Sequence, residues 1–140
     1  MSEPIHHHAI LSRETGEDLA QRPELLPGRD VALLDHIMNN ADRKAGHCLS
    51  DREGGRIWVV DHGVCFHPDP KLRTVIWDFA GEPIPDDSAA DLARLDLSVL
   101  ERWLTAYEVD ACRARVNGLL GERMFPDPPE DRRAYPWPPV

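Results

Sequence analysis

"NNADRKAGHCLSDREGGRIWVVDHGVCF", residues 39–66, is the stretch on which the reading of this chain turns. It places Asp42, Arg43, Lys44, Gly46 and His47 within six residues, then runs through two short apolar stretches around Asp51-Arg52-Glu53-Gly54-Gly55. Two such runs about a glycine-containing turn are the pattern of a β-hairpin, and its second strand ends at Asp61. Upstream, Val31, Leu34, Ile37 and Met38 recur at helical spacing behind Asp30 as N-cap. They predict a helix over "DVALLDHIMNNA" with one buried face. A helix therefore delivers the chain to Asp42 and a strand delivers it to Asp61, nineteen residues later. The intervening hairpin folds back, so the two carboxylates are expected at one edge.

Working outward, residues 1–29 are polar, carry Pro4, Pro23 and Pro27, and lack an apolar period, which predicts a loosely ordered N-terminal arm. His6, His7 and His8 within it read as a tag-like or solvated tract. On the other side, "RTVIWDFAG" (residues 73–81) is apolar and β-branched, and periodicity leaves open whether it is a strand or a buried helical turn. A loop at Pro83–Asp87 should lead to a short helix capped by Ser88. Two capping-box patterns, starting at Ser98 and at Thr105, predict two further helix starts. Leu100, Trp103 and Leu104 would face the core from the first. Val109, Cys112, Val116, Leu119 and Leu120 would do so from the second, which Gly121 should stop. Residues 125–140 hold six of the 13 prolines and can be neither helix nor inner strand. They are expected as a tail packed on the lobe of residues 30–124, with Tyr135 and Trp137 pinning it.

The totals narrow the function classes. At 140 residues and 41% hydrophobic content, the chain can supply one modest core. Sixteen basic against 25 acidic residues, a net charge of −9, oppose docking on nucleic acid or an anionic membrane surface. There is no apolar run long enough to span a membrane and no signal-peptide core, so a cytoplasmic protein is expected. Cys48, Cys65 and Cys112 have no close-paired spacing and are read as reduced, small apolar residues.

Phosphoryl transfer asks for two converging carboxylates, one to accept or orient a hydroxyl proton and one to hold Mg²⁺ on the phosphates. At this point the residues carry a resemblance. Asp42-Arg43-Lys44-Ala45-Gly46-His47 resembles the Asp-Arg-x-x-x-Asn loop of the phosphatidylinositol 3-/4-kinase-like family, and Val60-Asp61-His62-Gly63-Val64-Cys65-Phe66 its Ile-Asp-x-Gly strand end. "NNADRK", "DHGVCF", "KLRTVIWDFAGEPIP" and "PWPP" are similar, more closely, to a bacterial, actinobacterial-type group of kinase-like proteins, over roughly residues 30–140. The resemblance implies an α+β fold, a mostly helical protein-kinase-like C-terminal lobe with a small β-hairpin carrying the metal-binding Asp. It implies Asp42 as the catalytic-loop carboxylate, with Arg43 bracing the loop and Lys44 meeting a phosphate. It also implies Asp61 and His47 as ligands of Mg²⁺ or Mn²⁺, and His47, Asp61 and Gly63 as the cofactor-binding set for ATP. His47 stands where the wider family has Asn, and imidazole favours softer ions than Mg²⁺. The implied partners are the nucleotide, a hydroxyl acceptor (protein, small molecule or lipid head group) and a complementary N-terminal lobe. The 29 residues before Asp30 show no "GxGxxG" and no "VAIK"-like strand, so the chain is expected to be the C-terminal lobe alone.

Other readings stand beside this one. Asp42 and Asp61 can simply end a helix and open a turn. His36 reads as structural or surface, His62 equally as part of a strained turn or as a ligand, and His67 as surface, while Lys71 and Arg73 read as a solvated edge or, alternatively, as positive charge near the phosphates. Together the histidines with Asp42 and Asp61 suggest a Zn²⁺, Mn²⁺ or Fe hydrolase, against which stands the lack of any "HExxH"-type spacing. An inactive kinase-like lobe that binds a nucleotide or a partner is the non-catalytic alternative.

Overall fold

The computed structural model describes residues 28–50 and 57–140, apart from the side chain of Ser50. The expected arm over residues 1–29, as far as residue 27, and the hairpin turn at residues 51–56 lie outside the described residues. Helix α1 spans Gly28–Met38, strands β1 and β2 span Cys48–Ser50 and Ile57–Val59, helix α2 spans Asp86–Ala93 and helix α3 spans Ala106–Glu122. Two 3₁₀ segments, Ala45–His47 and Leu97–Arg102, precede β1 and α3.

Each element follows from local chemistry. The apolar stripe of α1 buries Val31 and Met38, with Ala32 and Leu33 beside them. The helix ends at Met38, short of the expected Ala41, because Asn39 takes a left-handed φ of 54°, a conformation asparagine tolerates better than most residues. Thr105 and Glu108 form the expected reciprocal capping box at the start of α3. Gly121 does not stop that helix; it runs on to Glu122, and Arg123 supplies the left-handed closing residue at φ 56°. Likewise α2 begins before Ser88, behind Pro85, and the segment around Ser98 is a 3₁₀ turn whose cap is Asp96. Its tighter, three-residue repeat turns Trp103 outward to 72% exposure, against the expected core position.

The core lies where α1, α3, α2 and the 75–79 segment meet, with Val31, Leu33, Val75, Ile76, Phe79, Leu92, Val116, Leu119 and Phe125 buried together. The undecided "RTVIWDFAG" stretch is neither strand nor helix. Thr74 makes an isolated parallel bridge to Arg43, and the chain then turns through Trp77–Gly81. Gly81 closes that turn at φ 80° and donates its N–H to the Phe125 carbonyl, a conformation that favours glycine. β1 and β2 pair antiparallel, Cys48 opposite Val59 and Ser50 opposite Ile57.

The fold is thus mostly helical α+β with one small two-stranded hairpin, and one part of the expectation is overturned. Among the described residues there is no group of three or more His, Cys, Asp or Glu side chains able to hold a metal ion. The hairpin therefore does not carry a metal-binding Asp of the kind the resemblance implies. The reason is local: the Asp61 carboxylate is engaged by His47, and Lys44 lies beside Asp42.

Candidate functional site

The loop between α1 and β1 is held from below by charges that the surrounding core has removed from water. Arg43 and Asp35 are each fully buried. The Arg43 Nε donates to both carboxylate oxygens at 3.0 Å, and Nη2 lies 3.0 Å from Oδ1. Such a pair is retained only when its geometry is good, and removing one partner strands the other in low dielectric. Burial outweighs the pull of Arg43 and raises the Asp35 pKa to about 6. The remaining Arg43 donor, Nη1, reaches the Val60 carbonyl at 3.0 Å and so ties the loop to the end of β2.

Two asparagines complete the frame. Asn40 donates through Nδ2 to Asp35 Oδ1 at 3.3 Å, and its Oδ1 accepts the Asp42 backbone N–H at 2.9 Å. Asn39 donates to the carbonyls of His67 (2.8 Å) and Asp69 (2.7 Å) and accepts the Lys71 N–H at 2.9 Å. Backbone bonds from Ala41 to Val64, from Arg73 to Asn40 and from Arg43 to Arg73 lace both sides of the loop. The tail adds a further clamp: Pro139 accepts the Ala45 N–H at 2.9 Å, and Ala134 accepts both the Thr74 N–H and the Trp77 indole N–H.

On this frame the predicted residues stand as two pairs. Lys44 Nζ is 3.9 Å from Asp42 Oδ1, both side chains partly exposed. His47 Nε2 is 3.3 Å from Asp61 Oδ2, with the carboxylate 57% exposed. The Lys44 backbone N–H donates to His47 Nδ1 at 3.4 Å, so the ring is held between the loop backbone and the Asp61 carboxylate. Asp61, not Gly63, carries the unusual backbone, at φ 62°. A side chain at Gly63 would meet Asp61 Oδ1 at 3.6 Å, ordinary contact on the carboxylate face.

The other histidines are dispersed. His36 stacks edge-on against Trp77 at 5.7 Å, and burial lowers its pKa to about 4. The pKa of His62 is lowered by desolvation and then by Arg43, against the pull of Asp61. His67 Nδ1 accepts the Asp69 N–H at 2.9 Å. Cys48 and Cys65 are pushed up to about 12 and about 11 by burial, so both stay protonated thiols, consistent with their reading as small apolar residues. Sequence reasoning did not single out Asp35, Asn39 and Asn40. The signal available for Asp35 was an acidic residue set between Val31 and Met38 on the apolar stripe.

The chain is similar to the Mycobacterium tuberculosis protein Rv2133c, 39% identical over 117 residues that cover 79% of this chain. It spans 41% of that protein's length. No family model matches the chain, and no solved structure matches it.

Proposed function

We propose that this chain contributes the catalytic-loop half of a phosphotransferase similar to the phosphatidylinositol 3-/4-kinase-like family, with ATP as donor. The observation that carries the proposal is Asp42: its carboxylate is partly exposed, Lys44 lies 3.9 Å away, and the backbone beneath is fixed by Asn40 and the buried Asp35–Arg43 pair. In this role Asp42 orients the acceptor hydroxyl and takes its proton as the oxygen bonds to the γ-phosphorus. The bond to the ADP oxygen breaks, ADP leaves, and Lys44 offsets charge on the transferred group. The described residues do not fit a resident metal site, so no step is assigned to Mg²⁺ or Mn²⁺. A hydroxyl on a protein, small molecule or lipid head group is the proposed acceptor. A complementary lobe is proposed to complete the nucleotide pocket.

A second reading, a non-catalytic module that binds a nucleotide or a partner, is favoured by a different observation. Trp58, Val60, Val64 and Trp137 are all at least 42% exposed. Such apolar surface fits a covering partner. Among the described residues no helix is long and apolar enough to cross a membrane.

The test is ATP turnover by the full chain, native and Asp42→Asn, alongside nucleotide binding by calorimetry. The phosphotransferase reading expects turnover that falls by roughly 10²–10⁴-fold in Asp42→Asn while binding persists. Turnover unchanged in that variant refutes the role of Asp42. Binding without turnover in the native chain, both alone and supplemented with a bacterial extract able to supply the complementary lobe, selects the second reading.

A further inference from the structure

Away from the catalytic loop, a cleft of about 370 Å³ opens between α3 and the segment running from His67 to Leu72. Its size falls within the range of small-molecule sites. Pro68, Pro70, Ala111 and Ala114 give it apolar walls, while Arg115 and Arg132 line it with positive charge. Among the described residues no Asp or Glu lines it, which is notable in a chain of net charge −9.

The two arginines are already positioned. Arg115 Nε donates to the Ile37 carbonyl at 2.8 Å and Nη1 to the His67 carbonyl at 3.4 Å. Its Nη2 is buried and finds no hydrogen-bond partner among the described residues. Arg132 Nη1 donates to the Leu72 carbonyl at 2.8 Å, which fixes the second guanidinium at the cleft. Guanidinium forks match the oxygens of carboxylates and phosphates better than any other side chain does.

We propose that this cleft binds a small anion with an apolar body, a phosphomonoester or a carboxylate, whose charged head is held by Arg115 and Arg132. The prolines and the alanines of α3 cover the apolar part, and His36, which packs edge-on against Trp77, also lines the cleft. The cleft shares Asn39 with the frame beneath the Asp42 loop but does not depend on the chemistry proposed at Asp42.

The test is an NMR titration of the full chain with phenyl phosphate, benzoate and inorganic phosphate, following the Arg115 Nε–H and the Ala114 amide. Saturable shifts are expected, with phenyl phosphate or benzoate binding at least several-fold more tightly than inorganic phosphate. Whichever of the two binds more tightly identifies the head group. Arg132→Gln should weaken binding at least ten-fold. Ala114→Phe, which fills the cleft from an exposed helix position and removes no hydrogen bond, should abolish it. Arg94→Gln, at an exposed arginine on the far helix, should leave it unchanged. Unaltered binding in either Arg132→Gln or Ala114→Phe overturns the proposal, as do non-saturating shifts with all three probes in the native chain.

Discussion

Replacing Asp35 by leucine leaves the Arg43 guanidinium buried at 0% side-chain exposure with no carboxylate beside it. Replacing Arg43 by methionine leaves the mirror problem, a buried carboxylate without its cation. Each single substitution is expected to cost about 3–5 kcal/mol, since the charge left behind is uncompensated. The double variant, Asp35→Leu with Arg43→Met, removes both charges and keeps the volume apolar. What it still loses is the Arg43 bond to the Val60 carbonyl and the Asn40 bond to Asp35, together about 2 kcal/mol. The cycle should therefore show a coupling energy of at least about 3 kcal/mol. Urea unfolding followed by circular dichroism measures it, with sucrose added to the weaker variants to keep them folded. A double variant that folds while a single does not supports the same conclusion. Additivity of the two singles to within about 0.5 kcal/mol would refute it, since the pair would then not act as a unit.

Three further outcomes are expected. His36 has its folded pKa lowered to about 4 from 6.5, so the unfolded state binds the extra proton. Stability should rise with pH between those values, by up to about 3 kcal/mol, and be lost as pH falls toward 4. The difference between native and His36→Phe isolates this, because the opposing titration of Asp35 cancels, and a flat difference would disprove it. At Asn39, which sits at φ 54°, Asn39→Gly and Asn39→Ala both lose the side-chain bonds to the 67–71 segment. Only alanine also strains the left-handed backbone, so thermal unfolding should rank glycine about 1 kcal/mol the more stable, and the reverse order would contradict the account. Deleting residues 134–140 removes the acceptors of the Ala45 and Thr74 amides. Hydrogen exchange at both amides should speed up, and unchanged protection would mean that the tail does not clamp the loop.

Legibility of the sequence varied with the range of the interaction. The helix at Val31–Met38, the capping box at Thr105 and the buried face of α3 were readable because each depends on residues within a turn or two of one another. Trp103 is exposed because the segment is a 3₁₀ turn capped by Asp96 rather than a helix opened by a Ser98–Glu101 capping box, and the two bury different residues. The end of α3 was misjudged because arginine, not glycine, took the left-handed position. At the candidate site, the sequence brought attention to Asp42, Lys44, His47 and Asp61. It could not reveal that the His47 ring is held between the Lys44 amide and the Asp61 carboxylate, since that depends on the 3₁₀ turn and on the left-handed Asp61. Asp35 was legible in principle as a charge on an apolar stripe. Its partner was not, because Arg43 comes from beyond the helix end.

The bond from the Ala45 amide to Pro139 joins two points close to opposite ends of the described chain. Contacts between residues so distant in sequence form slowly, since most of the intervening chain must be ordered first. During synthesis, the loop bearing Asp42 emerges long before the residues that clamp it. Until they emerge, the loop has its Asn40 and Arg43 supports but lacks the acceptor that fixes Ala45. Maturation of this surface should accordingly be a late event, following the docking of α3 on α1, and a stalled or nicked chain would hold the core without the finished loop.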